Sequence, residues 1–522
     1  MTVPSADFVN NSPDANPRPI DVRCPATGKL IGSVSVAEHE TVLAVARQLR
    51  AAQPAWEAIG PTARGRHLLR FLDWMLDNEH RLIALAQSES GKSWADASME
   101  LVVAMEVIDY HAKHASEFLA ERRVRPHGLT AATKKLRVRA RPHQLVGVVT
   151  PWNGPIATQV MDAVGALAAG AAVLSKPSEL TPLTWTECTR AWREEVGGPP
   201  ILACVNGGAD TGTAVVDVVD MVMFTGSTRT GRRVATRAAE RLIPCSLELG
   251  GKDAMVVLGD ADIDRATGAA VWGAMMNSGQ VCISIERVYV EDSVYDQFVT
   301  KLVEKVSSLR QGMDAPGAFA TDLGAMASAA QLQIVEQHVQ DAVARGARVL
   351  VGGKRPDRTG LFFEPTILAD VNHSMMCMRE ETFGPTLPVM RVTSETEAIR
   401  LVNDSQYGLS ASVWSKDVQR AERVAAQIEA GTIDINNVLM SAFQLSVPMG
   451  GWKSSGLGSR FGGADSVLKY CRRQTVVSDR LRLPAEPHWY PARPRVGRMQ
   501  ARVMRLVHAT DWRRRLGLKR VR

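Results

Sequence analysis

From Glu38 to Leu119, apolar residues return every three and four positions, the period of helices with one face turned to a core. A basic stretch follows, Glu121 to Arg141. It ends in the alternating run Lys135-Leu-Arg-Val-Arg-Ala-Arg, which reads as an exposed strand. From Gln144 the pattern becomes short β-branched runs separated by helical segments: Leu145–Thr150, Ala172–Ser175, Ile201–Val205, Met221–Phe224 and Ala254–Leu258. It recurs from Arg287 to about Ile435. Strands alternating with helices predict parallel sheets, and two such series predict two α/β domains. Residues 1–20 read as an unstructured arm, and no repeat of fixed period interrupts the chain.

Composition narrows the class. At 522 residues the chain exceeds one hydrophobic core. Its seven cysteines are scattered and form no CxxC pair, which speaks against a disulfide framework or a zinc site and for a reducing compartment. The N-terminus lacks the character of a secretory signal, and the most apolar stretch, Val160 to Leu174, is too short to span a bilayer. A cytoplasmic location is expected. The net charge of +7 sits in the tail: residues 480–522 carry 13 basic and two acidic side chains, net +11, which leaves −4 on the rest. A mildly acidic body is not expected to bind nucleic acid.

Two phosphate motifs fail on inspection. Ser90-Gly91-Lys92-Ser93 ends like a P-loop, but the required first glycine is Ala86 and a helical stretch precedes it. The GxGxxG fingerprint is absent, since Gly456-Leu-Gly458 lacks its third glycine. Strand-end turns say more. Met221 to Gly231 runs from an apolar strand into a helix through Gly226, Ser227 and Thr228, which suits a pyrophosphate as well as an ordinary N-cap. Lys176 ends another strand, as a surface lysine or a grip on ribose hydroxyls. Asn153, in the rigid turn Pro151-Trp-Asn-Gly-Pro, is a turn former or an amide donor to an oxyanion. Glu248, between leucines and beside two glycines, is a desolvated carboxylate with a pKa raised toward that of a general base. Cys282 follows a small-residue turn, as an inert core thiol or a nucleophile.

Together these segments resemble the NAD(P)-dependent aldehyde dehydrogenase superfamily over roughly residues 20 to 480. The motifs are PWNGP at 151–155, KPSE at 176–179, FTGSTRTG at 224–231, LELGGK at 247–252, GQVC at 279–282, ETFGP at 381–385 and PMGGWKSSGLGSRFG at 448–462, with Glu248 lying 34 residues before Cys282. The resemblance implies an α/β fold with a Rossmann-like cofactor domain (18–121 and 143–249) and an α/β catalytic domain (250–466). An oligomerisation β-arm (122–142 and 467–479) would pair subunits into a homodimer or homotetramer, and a basic extension (480–522) would follow. It implies Cys282 as nucleophile, Glu248 as the base for the hydrolytic water, and Asn153 with the Cys282 backbone N–H as the oxyanion hole. Lys176 and Glu179 would hold the adenosine ribose, Ser227 the pyrophosphate and Glu381 the nicotinamide ribose, with Phe383 beside the ring. Trp152, Gly226 and Leu249 would complete the cofactor site, and no metal is expected.

The expected reaction oxidises an aldehyde to the free acid through a cysteine thioester. A carboxylate at Glu179 favours NAD, with NADP admitted, because a 2′-phosphate beside it meets repulsion of about 4 kcal/mol per unit charge at about 4 Å. The run Cys282 to Val290 looks like a bacterial branch of succinate-semialdehyde dehydrogenase-like members. The positions expected to carry arginines for a distal carboxylate are Met161 and Met276. With Trp272 and Ile283 these suggest an apolar tunnel for a medium-chain or aromatic aldehyde; succinate semialdehyde, or a non-catalytic scaffold of the same fold, is the alternative. In the extension, Pro484, Pro487, Pro491 and Pro494 predict extended chain. Beyond them Val496, Met499, Val503, Leu506 and Val507 recur at helical spacing among arginines. This suits a helix lying on anionic lipid, or one packed on a neighbouring subunit or on the acidic body.

Overall fold

The computed structural model describes residues 19–128, 131–482, 484–486 and 489–518. The expected N-terminal arm lies almost wholly outside them, as does Pro487. The described residues form two compact units: those of 19–120 with 140–472, and those of 121–139 with 473–518.

The first unit contains both α/β layers. Four helices open it, His39–Ala58, Pro61–Asp77, Glu79–Ser90 and Trp94–Phe118, as the helical period predicts. A six-stranded sheet follows, in the order Gly456–Leu457, Cys245–Glu248, Met221–Thr225, Leu145–Val149, Ala172–Lys176 and Leu202–Cys204. All its pairings are parallel except that of the short Gly456–Leu457 strand. The central strands are buried on both faces, which explains why they read as unbroken apolar runs. The chain winds outward in both directions from Leu145–Val149 and Met221–Thr225, so the crevice at their carboxyl ends is where an open α/β sheet takes its ligand.

The second sheet has seven strands: Arg348–Val351, Thr366–Ala369, Thr386–Val392, Ile285–Glu291, Asp253–Val257, Ser410–Trp414 and Thr432–Ile435. The run at 254–258, which local pattern groups with the earlier series, belongs here, paired in parallel with Ile285–Glu291 and Ser410–Trp414. Alternation of strands and helices says that a strand exists, not which sheet takes it.

The second unit holds a three-stranded sheet with Lys134–Pro142 between Cys471–Asp479 and Arg122–Val124. Residues 467–470, expected in this arm, instead fall in and just after a short helix, Asp465–Leu468. Val467 and Tyr470 are fully buried in the core of the first unit. The tail forms the helix Pro494–His508 and a short turn of helix, Trp512–Arg515, neither with a buried residue. Pro494 begins the helix rather than ending the extended part, a position where its missing N–H costs nothing. No helix among the described residues is long and apolar enough to cross a membrane.

Candidate active site

Cys282 sits at the end of an unusual turn. The helix Ile263–Met275 gives way to Asn277, Ser278 and Gly279, all with left-handed backbone at φ 53°, 56° and 71°. A Cβ at Gly279 would lie 2.1 Å from the carbonyl oxygen of Gly384, so this residue has to be glycine. Side chains pin the turn: Ser278 Oγ donates to Gly324 O at 2.9 Å, and Gln280 Nε2 donates to Asn277 O at 3.0 Å.

Asn153 is clasped to this turn. Its Nδ2 donates to Gln280 O at 2.9 Å, using one of two hydrogens. Its own carbonyl accepts from Asn277 Nδ2 at 3.0 Å and Lys92 Nζ at 2.9 Å. Lys92 is buried in a salt bridge with Glu100, whose other oxygen caps the backbone at Ile156 at 3.1 Å. The rejected P-loop thus holds a structural cation: Ser90 ends a helix, and Lys92 braces Asn153.

Glu248 ends its strand with 3% of its surface exposed, and its Oε1 has no hydrogen-bond partner among the described residues. Asn153 Oδ1 is in the same condition. Burial raises the Glu248 pKa to about 7, against the lowering pull of Arg460 and Lys469. The Cys282 thiol borders a cavity, but the protein packed round it pushes its pKa up to about 12. Cys282, Asn153, Lys92, Glu100 and Arg460 share this cavity with an apolar wall that includes Met161, Met276, Ile283 and Phe443. Trp272, expected on that wall, is 40% exposed and is not among the residues that line the cavity.

The residues expected round a dinucleotide gather at the sheet's carboxyl edge and along the segments facing it. Lys176 is buried at the end of its strand, 3.6 Å from the half-exposed Glu179 carboxylate. Gly226 follows the strand Met221–Thr225, and Ser227 caps the helix Thr228–Glu240, accepting from Thr230 N–H at 3.3 Å. Leu249 is buried beside Glu248. Across from them, the Phe383 ring meets Trp152 edge-on at 5.5 Å. Glu381 lies against Gly250 and Gly251, so close that a Cβ on Gly250 would be 2.3 Å from its carboxylate. It accepts from Gly251 N–H at 3.0 Å, and desolvation, with Glu286 nearby, raises its pKa to about 8. A carboxylate so placed is suited to accept from sugar hydroxyls, and a strand-end lysine and a helix N-terminus suit a dinucleotide's ribose and phosphates.

Sequence reasoning missed Lys92, Glu100, Asn277 and the pair Asp162–Arg460. One signal was available: Asp162 is the only charged residue in the most apolar stretch before Lys176, and a charge there needs a partner.

Residues 12–476 match the Aldehyde dehydrogenase family. A protein of Mycolicibacterium smegmatis, provisionally named succinate-semialdehyde dehydrogenase [NADP(+)], is 42% identical over 462 residues, 87% of this chain and 88% of its own length. The 4,4'-diapolycopene aldehyde oxidase of a Methylomonas species is 40% identical over 471 residues, 90% and 87% of the two chains. Among solved structures, an NAD-dependent aldehyde dehydrogenase from Sinorhizobium meliloti superposes with a TM-score of 0.85 at 31% identity, covering 91% of this chain and 93% of its own. With this fold, these matches along nearly its whole length, and a cysteine, a buried glutamate and an asparagine gathered at one site, the chain belongs to the aldehyde dehydrogenase family and is an NAD(P)-dependent enzyme.

Proposed function

We propose that the protein oxidises an apolar aldehyde to its carboxylic acid, with Cys282 as nucleophile, Glu248 as general base and Asn153 as oxyanion donor. The observation that carries this reading is a buried acceptor without a partner, Glu248 Oε1, close enough to Cys282 to oppose its ionisation, together with the Asn153 Nδ2 hydrogen that Gln280 leaves unused at the cavity Cys282 borders. Buried polar atoms are normally satisfied, so such an orphan marks a place kept for water or substrate.

Cys282 adds to the aldehyde carbon, and the oxygen that becomes negative takes hydrogen bonds from the second Asn153 Nδ2 hydrogen and the Cys282 backbone N–H. Removing one such donor costs about 3–4 kcal/mol. When bound, the dinucleotide supplies the hydride acceptor, held by Lys176, Glu179, Ser227 and Glu381, with Trp152, Gly226, Leu249 and Phe383 around it. Loss of hydride leaves a thioester on Cys282. Glu248 then takes a proton from water, which adds to the acyl carbon, and the acid departs as the thiol is restored. At a pKa of about 7, Glu248 is poised for that proton at neutral pH.

The cavity supports an apolar substrate over succinate semialdehyde. Its two cations are already paired, Lys92 with Glu100 and Arg460 with Asp162, and Asp96 adds another acid. A distal carboxylate would meet the methionines Met161 and Met276 and no unpaired cation among the lining residues. The names of the relatives differ: one is a 4,4'-diapolycopene aldehyde oxidase, and the M. smegmatis protein's name points to succinate semialdehyde. Reduced-cofactor absorbance over a panel of aliphatic, aromatic and carboxylated aldehydes is the test. The reading expects medium-chain or aromatic aldehydes to have the higher kcat/KM, and a preference for succinate semialdehyde overturns it.

We assign the open edge strand Cys471–Asp479 to pairing with a second copy, giving a homodimer or homotetramer. Seven free cysteines fit a cytoplasmic enzyme. The exposed Met499, Leu506, Val507 and Trp512, set among arginines, suit peripheral contact with an anionic membrane surface.

A further inference from the structure

Arg460 is a buried cation at the wall of the reaction cavity. Its side chain is 3% exposed, and its Nε lies 3.1 Å from Asp162 Oδ1 on the helix Ala157–Ala169. Its Nη2 reaches Asp162 Oδ2 at 3.3 Å and also donates to Thr225 Oγ1, whose hydroxyl donates to Asp162 Oδ2 at 2.9 Å. Thr225 is the register partner of Glu248 in the parallel sheet. Paired residues in neighbouring strands send their side chains to one face, so the guanidinium stands beside the general base. Arg460 borders the cavity that Cys282 borders, and Asp162, fully buried, does not. The pair therefore turns its positive end to the reacting groups.

A buried ion pair is a poor device for stability alone, since an apolar pair of similar volume usually does as well. Its value lies in the field. We propose that Arg460, oriented by Asp162 and Thr225, is the fixed cation of this site, against which Cys282 ionises and Glu248 keeps its negative charge. The proposal rests on the roles assigned above to Cys282 and Glu248.

The surrounding charges leave this task to Arg460. Cys282 faces Asp253, Glu248 and Glu381, all of which oppose a thiolate, and Arg460, which favours it. Glu248 faces Asp162, Arg460 and Lys469. Lys469 donates to the carbonyls of Ser459 and Arg460 at 2.8 and 3.1 Å, and burial lowers its pKa, so it holds its charge less firmly than an arginine does. Lys92, on the same cavity, is committed to Glu100, with Asp96 beside it. Arg460 stays charged at every working pH.

The test is the pH profile of Cys282 alkylation by iodoacetamide in the full-length enzyme, with Cys282→Ala as the blank. Arg460→Met should move the profile to higher pH, slowing alkylation at pH 8 at least about tenfold, as loss of an adjacent opposite charge does. Asp162→Asn should move it to lower pH, because the arginine's field is then unopposed. Arg460→Lys should restore most of the wild-type profile. The acid limb of thioester hydrolysis should move with these variants in the same directions. Profiles that stay put, or move the same way for Arg460→Met and Asp162→Asn, reduce the pair to a structural tie and overturn the proposal. If Arg460→Met does not fold, Asp162→Asn decides alone: a downward shift supports the proposal and none overturns it. Cys282→Ala that still oxidises aldehydes overturns the nucleophile assignment instead; an inactive Cys282→Ala with unmoved profiles overturns Arg460 alone.

Discussion

A glutamate with almost no exposed surface and one oxygen without a partner is costly to bury, and Glu248 returns that cost as basicity near neutral pH. A base acts only when ionised, so thioester hydrolysis should fall as pH drops below about 7. Glu248→Gln should remove that acid limb and slow the steady state more than hydride transfer, so that a burst of reduced cofactor appears in stopped-flow absorbance. Equal loss of burst and steady rate would assign the base elsewhere. Glu179 poses a cofactor question. It is half-exposed beside Lys176, where a 2′-phosphate would meet its charge in partly screened form. Glu179→Ser should raise the kcat/KM ratio of NADP over NAD by about tenfold, and an unchanged ratio would put this carboxylate away from the ribose. Both carboxylates stand out in sequence through their neighbours. Lys92 does not, because its local pattern suggests a phosphate and only Glu100 and Asn153, eight and 61 residues on, define what it does.

Among the elements, the turn before Cys282 carries the most chemistry in the fewest residues. Three consecutive left-handed residues cost about 1–2 kcal/mol each where a side chain is present. They persist because Gly384, Gly324 and Asn153 close around them. Gly279→Ala adds a Cβ into the Gly384 carbonyl, so it should lower the melting temperature in calorimetry and cut turnover by about a hundredfold through displacement of the thiol. Wild-type turnover in this variant would show that the turn does not position Cys282. Most strands and the first four helices are legible in the chain's periodicity, because both faces or one face of each is buried and the pattern records it. Sheet membership is not legible: the strand at 253–257 and the short Gly456–Leu457 strand find their partners through long-range hydrogen bonds that leave no local mark.

At the scale of the whole molecule, the basic tail offers a surface for a partner. No residue of its helix is buried, and its arginines stand among exposed Met499, Leu506, Val507 and Trp512. Truncation after Asp479 should abolish co-sedimentation with anionic vesicles at low salt while oligomeric state and turnover hold. Dissociation of the truncated enzyme, or indifference of the full-length protein to such vesicles, would turn the tail to a protein partner. The aldehyde dehydrogenase class and the nucleophile candidate are legible through the resemblance that the chain's motifs bear to that family, and the amphipathic tail through its periodicity, because motifs and periodicity are local properties of the chain. The ionisation of the site cannot. Asp162, Thr225, Glu248 and Arg460 are spread over nearly 300 residues, and their charges act on one another only once two sheet edges, a helix and a late loop exclude water from the space between them.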